Sequence, residues 1–138
     1  MDFYTNAQET EKSAIDLFSA GQYRHSVFLA CLAVELYLKS RLRLVPHRVE
    51  LEKSHDVIGL YDALLNRFRP KLDMWPMVNL CRKYFNESRY PYSGNTDVYT
   101  QAFASDFVGF IADIRDFIDN VCVASAEDLE NMYPRNKG

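Results

Sequence analysis

Apolar residues recur every three or four positions along most of the chain, and no stretch alternates with period two for long enough to be a strand. The clearest case is Phe103, Phe107, Phe110/Ile111, Ile114, Phe117/Ile118 and Val121. It predicts a long last helix from Thr96 or Asp97 to about Ala124, with Asp106, Asp113 and Asp116 on its solvent face. Near the start, Ala7, Ala14, Ile15 and Phe18 predict a helix capped by Thr5 or Asn6 and ended by Gly21. A second helix is predicted over about 22–44. Its middle, VFLACLAV, is apolar on every face, as in a helix covered on several sides. Glu35 interrupts that run, and the end turns cationic with Lys39, Arg41 and Arg43 before Pro46. Residues 45–54 read as a polar connection. A third helix opens at Ser54 or His55 and stops near Phe68, ahead of Pro70. A shorter one runs from Trp75 to Phe85, with Pro76 in its first turn. Residues 86–97 (NESRYPYSGNTD) read as a loop. The pattern is all-α, an up-and-down bundle of four to five helices.

Length and composition keep this picture and narrow it. The 138 residues suit one domain, here residues 1–124, with residues 125–138 as a short turn and frayed tail. No apolar run reaches the roughly 20 residues of a membrane span, and the polar, acidic start is unlike a signal peptide. Three cysteines, Cys31, Cys81 and Cys122, sit among apolar residues without any C-x-x-C. They read as buried thiols of a reducing, cytoplasmic compartment. The three histidines, His25, His47 and His55, do not cluster with them, so neither a metal nor a cofactor is expected.

Charge is segregated. Residues 1–38 sum to −3, residues 39–89 to +5 and residues 97–138 to −5. The basic middle could attract phosphate or nucleic acid, or simply complement the acidic last helix. Within it, Arg82, Lys83 and Arg89 are interleaved with Tyr84, Phe85, Tyr90 and Tyr92, a mixture able to stack and neutralise a nucleotide or to pack a loop on the bundle. Glu35 needs a cation, because a buried carboxylate is costly alone. Lys39 is one turn away. The planar fork of Arg89 would hold it with two bonds and fasten the loop to the central helix. His55 reads as a loop anchor or helix cap. Candidate ligand- or partner-binding residues are therefore Glu35, Lys39, Arg82, Arg89 and Tyr90, and no residue is nominated as catalytic.

Three pieces, in order, resemble the HEPN superfamily of small helical bundles. They are Ala14-Ile15-Asp16-Leu17-Phe18 with Gly21-Gln22-Tyr23, then Ser26 to Lys39 with its Glu35 and Lys39, then His55-Asp56-Val57-Ile58-Gly59-Leu60 with the later Ser88-Arg89-Tyr90-Pro91. The resemblance spans residues 7–120. It implies a bundle that forms a homodimer and partners a small nucleotidyltransferase, or a toxin-like ribonuclease with an Arg-x4–6-His motif at the last core helix. Here Arg89 is followed at those positions by Gly94, Asn95 and Thr96, and no His occurs after His55. Arg41 to His47 and Arg48 to His55 match the spacing only formally. The resemblance thus implies a non-catalytic module that binds a partner protein, a nucleotide-like ligand or RNA. The alternative is a metal-independent ribonuclease with a non-standard Arg/His pair.

Overall fold

A computed structural model describes residues 2–89 and 96–123. Among them there is no strand, and the helices are α1 (Phe3–Ser19), α2 (Tyr23–Lys39), α3 (Arg48–Glu52), α4 (Val57–Leu65), α5 (Trp75–Arg89) and α6 (Gln101–Asp116). Four are long, and their side chains fix the directions. Phe18 meets Tyr23 and Tyr4 meets Tyr37, so α1 and α2 are antiparallel. Phe28 meets Phe85, and Tyr84 meets both Phe103 and Phe107, so α5 opposes α2 and α6 in turn. This is the expected up-and-down bundle. The tight turn between α1 and α2 needs Gly21, whose φ of 77° other residues rarely adopt.

α2 is the central helix, packed by α1, α4, α5 and α6. Val27, Ala30, Cys31, Ala33, Val34, Tyr37 and Leu38 are buried, while Leu32 stays partly exposed. The three cysteines are buried free thiols.

Several boundaries differ from those the pattern predicts. Asp2, not Thr5 or Asn6, caps α1 by accepting from the Tyr4 and Thr5 amides. Thr100, not Thr96 or Asp97, caps α6. α2 ends at Lys39, and the chain tightens into a 3₁₀ turn over Leu42–Leu44. Leu42 and Leu44 are both buried. Two positions apart, they would point to nearly opposite sides of a continued α-helix. The connection after it contains α3, which opens on His47 at φ 62°. α4 starts two or three residues later than predicted because the Asp56 side chain, accepting from the Ile58 amide, is the cap. It ends at Leu65, short of Phe68. α5 continues four residues past Phe85, so Ser88 and Arg89 are helical and not part of a loop. Arg24 of α2 explains this, because its Nη1 donates to the Ser88 carbonyl at 2.7 Å and satisfies an end carbonyl the helix cannot.

After Asp116 the last helix widens into a π turn over Phe117–Val121. Arg41 Nε donates to the carbonyls of Ile118 and Cys122, both at 3.2 Å, and the guanidinium lies over the Tyr4 ring. The expected tail, residues 125–138, and the Tyr90-Pro91 piece lie outside the described residues.

Candidate functional site

Glu35 organises the site. It sits on the buried side of α2, with 2% of its side chain exposed. Its Oε2 accepts from Lys39 Nζ at 3.2 Å and from His55 Nδ1 at 3.2 Å. Its Oε1 has no hydrogen-bond partner among the described residues. Lys39 is there because one helical turn separates it from Glu35. His55 is there because Asp56 caps α4, which leaves the preceding residue on the rim above α2. Its side chain is 74% exposed, and its ring runs nearly parallel to that of Phe85, 13° apart at 6.5 Å. Donation from Nδ1 to the carboxylate leaves Nε2 as the acceptor of a neutral ring.

The cation expected on Glu35 was Arg89. Lys39 and His55 contact that carboxylate in the structure. Arg89 ends α5, and the groove residues of α5 step along one face. That face carries Arg82, Phe85, Asn86 and Arg89, spaced by three and four. With His55, Asp56 and Val57 across from it and Cys81 in its floor, it bounds a groove of about 320 Å³. Arg82 Nε lies 3.8 Å from Asp56 Oδ1, an exposed and therefore weak pair. The groove so joins two guanidinium groups, an amide and a pair of rings. Burial first, and a hydrogen bond with Cys81 second, raise the thiol of the neighbouring Cys31 well above its ordinary range.

Lys39 opens elsewhere. It lines a cleft of about 920 Å³ at the end of α2 with Arg41, Arg43 and Arg48. The five candidate residues are therefore divided. Arg82 and Arg89 line the groove, Lys39 lines the cleft, Glu35 is buried between them, and Tyr90 lies outside the described residues. His55 bonds Glu35 and lines the groove as well. Phe85 belongs to the aromatic set expected to stack on a nucleotide, while Asn86 and Asp56 add to the groove without any such expectation, although the stepping of α5 by three and four marks Asn86. Tyr84 turns inward against Tyr99, Phe103 and Phe107, the packing role. Tyr92 lies outside the described residues.

The two formal Arg/His spacings do not become pairs. Arg41 is committed to two carbonyls, while His47 opens α3. Arg48 pairs with Glu52 in the cleft, while His55 lies in the groove. What the fold does bring together is His55 with Arg82 and Arg89, which no short spacing displays.

A model of the HEPN domain matches residues 1–121. The chain belongs to the HEPN family. No curated protein and no solved structure matches it. In this HEPN chain the groove and the cleft both lie within the matched residues, apart from the cleft's last two lining residues, Cys122 and Val123. No helix among the described residues is long and apolar enough to cross a membrane.

Proposed function

We propose that this HEPN chain is a non-catalytic module that holds a nucleotide-like ligand in the groove between the start of α4 and α5. The observation that carries the reading is the placement of Arg82 and Arg89 on one face of α5, with the Phe85 and His55 rings beside them. The two arginines are seven residues apart, about 10 Å along the helix axis. Guanidinium forks suit phosphate oxygens, the parallel rings offer a face to a base, and Asn86 can donate to or accept from its edge. Self-association and a protein partner, such as a nucleotidyltransferase, belong to the same reading through the family. Sedimentation should then show a species of twice the 16.1 kDa chain mass. The groove itself is tested by titrating adenosine monophosphate into the full chain. Binding should fall about tenfold or more in Arg82→Ala/Arg89→Ala, the loss of charge-assisted bonds worth roughly 1.5–3 kcal/mol. Equal affinity in the variant would sink the reading.

One observation favours the ribonuclease as a second reading. Glu35 fixes the proton of His55 on Nδ1, so Nε2 is a base facing the same groove as two arginines. Incubation with mixed RNA in EDTA separates the two. Cleavage that disappears in His55→Gln would replace the module by the enzyme.

A further inference from the structure

The groove between the start of α4 and α5 holds one group that a phosphate cannot use, the Asp56 carboxylate. Capping α4 fixes its position. Its Oδ1 accepts from the Ile58 amide at 3.1 Å and lies 3.8 Å from Arg82 Nε. Its Oδ2 accepts no hydrogen bond among the described residues. That oxygen stands beside Gly59, where a Cβ would lie 3.6 Å from it, so glycine leaves it free of a side chain on that side. With 47% of the Asp56 side chain exposed, the open oxygen is within reach of a ligand in the groove. Asn86 lines the same groove from α5. The rings of Phe85 and His55 lie 13° from parallel, and the bond from Nδ1 to Glu35 holds the His55 ring in place.

We infer that the base taken by this groove is guanine and that Asp56 selects it, an inference that rests on the nucleotide reading above. An ionised carboxylate only accepts hydrogen bonds. Among the RNA bases, guanine alone sets two donors side by side on its pairing edge, the N1–H and the N2 amino group. Adenine and cytosine place a bare ring nitrogen next to their amino group, and uracil flanks its N3–H with two carbonyls. Each of these turns an acceptor toward the carboxylate, and a polar group left facing its like loses affinity. Guanine O6, next to N1, accepts from the Asn86 amide, so the two sides of the groove answer adjacent atoms of one base. A volume of about 320 Å³ lies at the lower end of ligand sites and suits a single nucleotide. Charge sets the direction in which it lies. Asp56 repels a phosphate, so the phosphate lies toward the Arg89 end of the groove, two helical turns from Arg82.

Calorimetry on the full chain compares guanosine, inosine and adenosine monophosphates at about 0.15 M salt, which limits diffuse attraction. The guanine nucleotide should bind about tenfold or more tighter than the adenine nucleotide, the worth of a charge-assisted contact. Inosine monophosphate, which lacks the N2 amino group, should fall between them. Asp56→Asn keeps a good helix cap and removes the charge. It should erase the guanine preference without weakening the adenine nucleotide. Equal affinities for guanine and adenine nucleotides in wild type overturn this inference and leave the nucleotide reading standing. Absence of binding by all three overturns both. A guanine preference that survives Asp56→Asn overturns the role of Asp56. Should that variant not fold, the wild-type comparison decides, since inosine and guanosine forms that bind equally overturn the contact to N2. A uridine oligomer carrying one guanosine separates the sources of the base. Tighter binding than the mononucleotide assigns guanine within a strand, and equal or weaker binding assigns the free nucleotide.

Discussion

The Tyr37 hydroxyl donates to Glu11 Oε1 at 2.6 Å, joining the two antiparallel helices that open the fold. Arg115 of α6 binds the other oxygen of the same carboxylate. One carboxylate on α1 thus ties together three of the four long helices. Burial first, and the bond to Glu11 second, push the Tyr37 phenol well above its usual range near 10. A proton held more tightly in the folded state gives stability that is complete below the ordinary pKa and is lost as pH rises above it. Urea midpoints should therefore hold up to about pH 10 and fall beyond it. Tyr37→Phe should cost about 1–3 kcal/mol near neutrality by stranding the Glu11 oxygen, and should make the alkaline fall shallower. Equal slopes in wild type and variant would show that Tyr37 does not carry the effect.

Glu35 should depend on Lys39 and not on Arg89. Lys39→Met leaves a buried carboxylate without its ammonium partner and should cost about 3–5 kcal/mol. A double-mutant cycle between Lys39→Met and Glu35→Gln should show coupling of roughly 1 kcal/mol or more, whereas Arg89→Ala with Glu35→Gln should be additive to about 0.5 kcal/mol. Strong coupling to Arg89 would refute the arrangement described above. His55→Ala, at an exposed ring, should cost less than Lys39→Met.

The π turn at the end of α6 should open without Arg41. Arg41→Ala removes charged donors from the Ile118 and Cys122 carbonyls, a loss of about 1.5–3 kcal/mol. Arg41→Lys should recover little, because a single ammonium cannot reproduce the flat guanidinium on the Tyr4 ring. Amide exchange over residues 117–122 is the readout, and protection equal to wild type in Arg41→Ala would count against this role.

Cys122 should be inert in the folded protein. Burial pushes its thiol up to about 12, against the opposing pull of Arg41. Iodoacetamide at pH 8 should leave it unmodified until denaturant is added, since the thiolate is the nucleophile. Mass spectrometry that finds Cys122 alkylated in native protein would contradict the burial.

Much of this molecule follows from local pattern. Helical spacing identifies α1, the central α2 and the aromatic stripe of α6, and a stretch apolar all round must be covered by neighbours. Gly21 marks a turn that few other residues can make. These features depend on contacts within one helix or on a single residue's backbone, and a linear chain displays them. The HEPN resemblance was legible for the same reason, since its pieces are helices and their ends.

The rest needed the fold. The end of α5 was misplaced because its cap is Arg24, sixty-four residues away in sequence. The π turn is held by Arg41, on another segment altogether. The need of Glu35 for a cation was evident from its apolar neighbours, but the choice was not. Lys39 and Arg89 are both plausible on the chain, and only the packing of the helices brings Lys39 and His55 to the carboxylate and places Arg89 on the groove. Periodicity says which side of a helix is buried. It does not say which side chains from different helices arrive at the same carboxylate, because that depends on how the helices pack against one another.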